Sequence, residues 1–165
     1  IAFYQGRITA ERRQKLISIM RPFAAHGLPL LLHTNEPVGH IYPGKSLSSL
    51  KEIYQLIQAL PDQPIILAHW GGGFFFYELM PEVARAARHV YYDTAASPFL
   101  YHPKIYSVAI EILGPNKIIF GSDYPLISPA RYFAEMNCIG LPAHWQKKIK
   151  KLNSQKLLIK PKKGG

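Results

Sequence analysis

Four short runs of apolar, β-favouring residues recur along the chain, at positions 29–33, 64–69, 89–93 and 117–123, and each gives way to a loop containing Gly or Pro. Between them the apolar residues repeat with helical spacing. From Thr9 to Ala25, Leu16, Ile19, Met20 and Phe23 fall on one face while Arg12, Arg13 and Lys15 fall on another. Thr9 predicts an N-cap, and Gly27 predicts the left-handed stop that closes many helices. A second helix is expected with Ser46 as N-cap, running through Leu50, Ile53, Ile57 and Leu60 until Pro61 ends it. Further helices are expected over 82–88, 104–113 and 129–136. Strands this continuously apolar, alternating with helices, form βαβ units: a parallel sheet covered by helices, hence an α/β fold.

Composition narrows the function classes. The 165 residues are about one domain's worth and can bury roughly two-thirds of the unfolded surface. With 48% hydrophobic and 18% charged residues, and apolar runs far short of the roughly 18 needed to cross a bilayer, disorder and membrane spanning are excluded. The net charge of +10 would suit nucleic acid if it were spread over a binding face. It is not: residues 1–135 hold 12 basic and 10 acidic side chains, whereas 136–165 hold 8 lysines and no acid. That end reads as an amphipathic helix over 145–158 with a solvated Lys face, then a flexible Lys-rich tail at 160–165, so nucleic acid is an unlikely partner. The single cysteine, Cys138, excludes an intrachain disulfide and is expected to pack in the core. Residues 1–4 read as a strand with no secretory signal ahead of them, which points to a cytoplasmic setting.

In parallel sheets with helical crossovers, ligands collect outside the carboxyl ends of the strands. His33, His69, Asp93 and Asp123 all stand at that end. A lone histidine there more often caps its strand than binds a ligand. Two on successive βα units, with a carboxylate on the last strand, form a set able to hold a metal or move a proton. Gly71, Gly72 and Gly73 permit close backbone approach, but neither a phosphate loop of the Walker type nor a dinucleotide fingerprint is present. Glu36 and His40 lie with Tyr42 and Lys45 in the long loop after the first of these strands, either as solvated surface or facing a substrate. Asp93 is equally a substrate contact or a turn former bonding its own backbone. His26, His89, His102 and His144 read as structural, and residues 74–77 as core or subunit contact.

Four motifs stand in order: Leu32-His33-Thr34-Asn35-Glu36-Pro37, Ala68-His69-Trp70-Gly71-Gly72-Gly73, Tyr92-Asp93-Thr94-Ala95-Ala96 and Phe120-Gly121-Ser122-Asp123-Tyr124-Pro125, followed by a closing helix at 153–158. Together they resemble the amidohydrolase superfamily, in its amidohydrolase-2 branch, which includes aminocarboxymuconate-semialdehyde decarboxylase-like enzymes. The resemblance implies a (β/α)₈ TIM barrel and a divalent metal, zinc first and manganese or another transition metal next. It implies that His33 is a metal ligand, His69 a ligand or catalytic group, and Asp123 both ligand and proton acceptor, with Glu36, His40 and Asp93 facing a small-molecule substrate. Metal-dependent hydrolysis is the expected activity; non-oxidative decarboxylation on the same scaffold, or a non-catalytic partial barrel, are the alternatives.

The family's His-x-His pair on the first strand has no counterpart among the seven histidines here. A whole barrel typically needs about 200 to over 400 residues. Residues 1–159 are therefore expected to form the C-terminal part of the barrel, about strands five to eight, with an N-terminal segment or a second copy covering the open face. Little turnover is expected of this portion alone.

Overall fold

The computed structural model describes residues 8–39, 41, 42, 45 and 49–158. The strand expected at 1–4, the cap expected at Ser46 and the tail at 160–165 lie outside them. Four strands, β1 (Leu30–Leu32), β2 (Ile65–Leu67), β3 (Val90–Asp93) and β4 (Ile118–Ile119), form one parallel sheet in the order β1-β2-β3-β4. Sequential parallel order without reversal is the winding of a barrel; a doubly wound sheet reverses at a switch point.

Between β1 and β2 runs α2 (Leu50–Ala59), which Ser49 caps in a reciprocal box: the Ser49 hydroxyl accepts from Glu52 N–H at 3.2 Å and the Glu52 carboxylate accepts from Ser49 N–H at 3.1 Å. The same carboxylate accepts from Ile8 N–H at 3.1 Å, which docks the entry to α1 (Ala10–Ala25) on α2. Thr9 caps α1 as expected. After β2 the chain enters a tight stretch, His69–Leu79, then α3 (Pro81–Ala86). α4 (Ser97–Leu100) and α5 (Ile105–Leu113) follow β3, and α6 (Pro129–Cys138) follows β4.

Register places Leu30, Ile65 and Val90, and again Leu32, Leu67, Tyr92 and Ile118, on one face of the sheet. That face is fully buried with Leu16 and Met20 of α1, Ile53, Leu56 and Ile57 of α2 and Ala109 and Ile110 of α5 in one core. Leu31, Ile66 and Tyr91 point to the opposite face, where Leu31 is 50% exposed. One covered and one open face is what an arc of barrel wall has. Glu78 ties the wall together, accepting from Tyr92 Oη at 2.7 Å and pairing with Lys117 Nζ at 2.5 Å.

The β4 edge of the sheet is closed by the chain itself, and the expectation for Cys138 is overturned. The outward backbone groups of the β4 segment are not bare, because the chain past α6 turns back over them. After α7 (Ala143–Lys147), a π turn at Lys148–Leu152 leaves the Ile149 carbonyl outside the ordinary helical ladder, and Phe120 N–H donates to it at 3.0 Å. Asn153, opening α8 (Asn153–Leu158), donates to the Ile118 carbonyl at 2.7 Å. Cys138 is exposed rather than packed. It follows buried Met136 by two residues, about 200° around the helix, and so faces away from the core.

Candidate active site at the carboxyl ends of the strands

His33 is the first residue past β1, and its ring meets that of His69 edge to face, centroids 5.1 Å apart and planes at 79°. Burial, and then the neighbouring His69, push the His33 pKa below its ordinary 6.5, while Asp123 pulls it back up. His33 is therefore neutral at pH 7, with a lone pair to offer.

His69 is fixed at three points. Its backbone is left-handed, φ 54°, its N–H donates to Asp93 Oδ1 at 2.8 Å, and its Nδ1 lies 3.1 Å from the Ala95 carbonyl. A carbonyl only accepts, so Nδ1 carries the proton, and in the neutral ring Nε2 holds the lone pair. The left-handed conformation continues through Trp70, Gly71, Gly72 and Gly73, with φ of 58°, 67°, 59° and 86°. Glycine makes such a turn easy; His69 and Trp70 adopt it against their Cβ sterics. Trp70 is held by its indole N–H, which donates to Ser97 Oγ at 2.6 Å, and by Tyr106, edge-on at 5.3 Å. Gly72 lies so close to the end of β1 that a Cβ there would sit 2.3 Å from the Asn35 carbonyl oxygen.

Asp93, which the sequence leaves as either substrate contact or turn former, makes the turn: Oδ1 accepts from Ala95 N–H at 3.0 Å as well as from His69 N–H. It is 8% exposed, and burial raises its pKa against the lowering effect of the His69 bond. Thr94 joins the β3 loop to the β4 loop, its hydroxyl donating to Gly121 O at 2.9 Å and accepting from Gly121 N–H at 3.2 Å. Asp123 follows in a left-handed conformation, φ 57°.

On the loop after β1, Glu36 accepts from Tyr101 Oη at 2.9 Å, and burial followed by this carboxylate holds the Tyr101 phenol far above its ordinary range. Burial, then Glu36 and Asp123, also raise the Tyr42 pKa. Both phenols are therefore neutral beside the Glu36 carboxylate. His40 lies outside the described residues. Tyr101 carries no local signal in the sequence, since it reaches Glu36 from a position 65 residues away.

The donor types, imidazole nitrogen and carboxylate oxygen, suit a divalent transition metal. They do not close a site: among the described residues, no three His, Cys, Asp or Glu side chains are grouped so as to hold an ion. Also among these residues, no helix is long and apolar enough to cross a membrane.

The family profile described as Amidohydrolase matches residues 11–159. No curated protein sequence matches the chain. Among solved structures, a dihydroxybenzoic acid decarboxylase from Polaromonas, with bound manganese and the inhibitor 2-nitroresorcinol, superposes with a TM-score of 0.64 at 16% identity over 86% of this chain and 52% of that one. The 5-carboxyvanillate decarboxylase of Sphingomonas paucimobilis superposes with 0.63 at 18% identity, over 84% of this chain and 51% of that one. A TIM-barrel protein of Bordetella bronchiseptica gives 0.63 at 16% identity, over 92% and 52%. At these identities the likeness establishes the fold, part of a TIM barrel. The chain spans about half the length of these three structures.

Proposed function

The chain belongs to the amidohydrolase family, and from that premise we propose that it supplies the C-terminal half of a metal-dependent enzyme active site that works on a small carbonyl or carboxylate substrate. The observation that carries this reading is the setting of His69, with Nδ1 engaged by the Ala95 carbonyl and Nε2 left as a base beside the neutral His33. His33 and Asp123 are two donors to the ion, with His69 as ligand or as substrate-side group, and at least one further donor comes from beyond the described residues, since such catalytic sites usually have about three protein ligands. The ion itself would supply Lewis-acid charge at the substrate oxygen.

In hydrolysis, water adds to the substrate carbonyl carbon as Asp123 takes its proton, and the bond to the leaving group breaks as that proton is handed on. His69, accepting at Nε2, orients the attacking water, and the charge at the carbonyl oxygen would be the ion's. Glu36 and the Tyr42 and Tyr101 phenols face the substrate. The Lys-rich end has no part in this reading.

Non-oxidative decarboxylation is the second reading, favoured by the two decarboxylases among the structural relatives. There the bond from the ring carbon to the carboxylate breaks, CO₂ leaves, and the carbon takes a proton from the Asp123 and His69 side. The two readings separate by assay of the full-length protein: hydroxybenzoates releasing CO₂ select the lyase, and esters or lactones releasing acid select the hydrolase. Replacing His33 or Asp123 by Ala should strip the full-length protein of metal, measured by elemental analysis. Unchanged metal content in both variants would refute their assignment.

A further inference from the structure

We infer that Tyr132 is a positioning residue, whose buried phenol couples the His69 ring to the Asp123 peptide through one continuous chain of hydrogen bonds. His69 Nδ1–H donates to the Ala95 carbonyl at 3.1 Å. The N–H of that same peptide unit, on Ala96, donates to Tyr132 Oη at 3.0 Å. Tyr132 Oη in turn donates to the Ser122 carbonyl at 2.7 Å, and the peptide unit of that carbonyl carries the Asp123 nitrogen. Two peptide groups and one phenol therefore join the base at the end of β2 to the carboxylate residue after β4.

All three donors point the same way along the chain. Each donation polarises the next group, so the bonds reinforce one another by about 10–30% each. The phenol also sits between two residues whose backbones L-amino acids resist, Ala96 at φ 56° and Asp123 at φ 57°. By fixing the peptide plane that precedes each, it holds both turns.

The sequence builds α6 to deliver this hydroxyl. Ser128 caps the helix through Ala130 N–H at 3.4 Å and Pro129 occupies its first turn. One turn on, the Tyr132 ring packs edge-on against Phe120 at 5.5 Å and 89°. Tyr132 is 0% exposed, so no bulk water stands in for its oxygen. Burial first, with Asp123 and Asp93 adding to it, pushes its pKa up to about 12 against the Ala96 bond, which keeps the hydroxyl a donor at neutral pH.

The inference rests on His69 and Asp123 being the reacting groups proposed above. The test uses the full-length protein labelled with ¹⁵N-histidine. In the wild type, His69 should show a protonated Nδ1 that exchanges slowly. In Tyr132→Phe the chain is cut at both of its bonds, so the Nδ1 proton should exchange faster, the ring should shift toward mixed tautomers, and kcat should drop about tenfold or more with KM within about twofold. Phe133→Leu, its neighbour on α6, is the control for packing alone: it loses contact with Phe120, now at 5.2 Å, and should lower Tm while leaving kcat and the His69 signals in place.

A Tyr132→Phe protein with reduced Tm but wild-type His69 signals and kcat would overturn the inference. Should that variant fail to fold, Tyr132→3-fluorotyrosine keeps volume and both bonds while making the phenol a stronger donor; the His69 Nδ1 resonance should move, and an unmoved resonance overturns the coupling. The two ideas fail separately: full activity in His69→Asn would sink the functional reading, yet leave the NMR coupling to be judged by itself.

Discussion

His33 and His69, from adjacent strand ends, meet ring to ring at 5.1 Å, and burial, with His69 adding to it, holds His33 neutral. Its folded pKa lies below 6.5 because it is buried and because His69 is beside it, with Asp123 opposing. Between the folded value and 6.5 the unfolded chain binds more protons, so stability rises with pH across that window. The contribution is complete above 6.5 and is lost as pH falls through the folded value. Urea unfolding from about pH 8 down to about pH 5 should give a stability slope that His33→Gln flattens. An equal slope in the variant would remove His33 as its source.

Gly72 and Gly73 make a paired test of the left-handed turn that carries His69. Both have positive φ, 59° and 86°, but a Cβ on Gly72 collides with the Asn35 backbone at 2.3 Å, whereas one on Gly73 meets nothing within 4 Å. Backbone cannot yield as a side-chain tip can. Gly73→Ala should therefore cost only the conformational penalty, about 1–2 kcal/mol, and Gly72→Ala more than about 3 kcal/mol, since β1 and the turn must separate. Chemical denaturation midpoints read the difference, and equal costs would mean that the turn does not rest on Asn35.

The start of α2 gives a third prediction. Ser49→Ala removes one capping bond and should cost about 1 kcal/mol. Glu52→Ala removes the acceptor for Ser49 N–H and Ile8 N–H together and should cost more, about 2 kcal/mol. Comparing the two Tm shifts checks the order, and a smaller effect at Glu52 would mean that the docking of Ile8 adds nothing.

The sheet and most helices are legible in the sequence because they follow from contiguous apolar runs and from periodicity, both local properties. The expected helix over 104–113 is found as Ile105–Leu113, and that over 129–136 as Pro129–Cys138. The start of α2 carries its own capping signature, Ser49-x-x-Glu52, three residues beyond the Ser46 expected to cap it. What could not be read is set by distant bonds. His69 and Trp70 are left-handed because Asp93 and Ser97, 24 and 27 residues on, hold them so. Nothing near Tyr132 distinguishes a phenol that links two loops from an aromatic that fills a core. The motif residues His33 and His69 were legible as a pair, whereas the polar shell that orients them was not.

Asn153 gives the last prediction. Its amide nitrogen donates to two carbonyls, Pro115 O and Ile118 O, each at 2.7 Å, and uses both hydrogens. Ile118 is 0% exposed, so its carbonyl has no water to turn to when the amide is removed. Asn153→Ala should cost about 2–4 kcal/mol, from two lost bonds, one of which strands a buried acceptor. Asn153→Asp keeps the shape but has no donor at neutral pH, and it sets a carboxylate against two carbonyl oxygens, so it should cost more than Ala despite being isosteric. Urea unfolding of the full-length variants at pH 7 orders the two. Asp milder than Ala would show that the side chain serves here by volume, and that β4 is sealed by packing rather than by these two bonds.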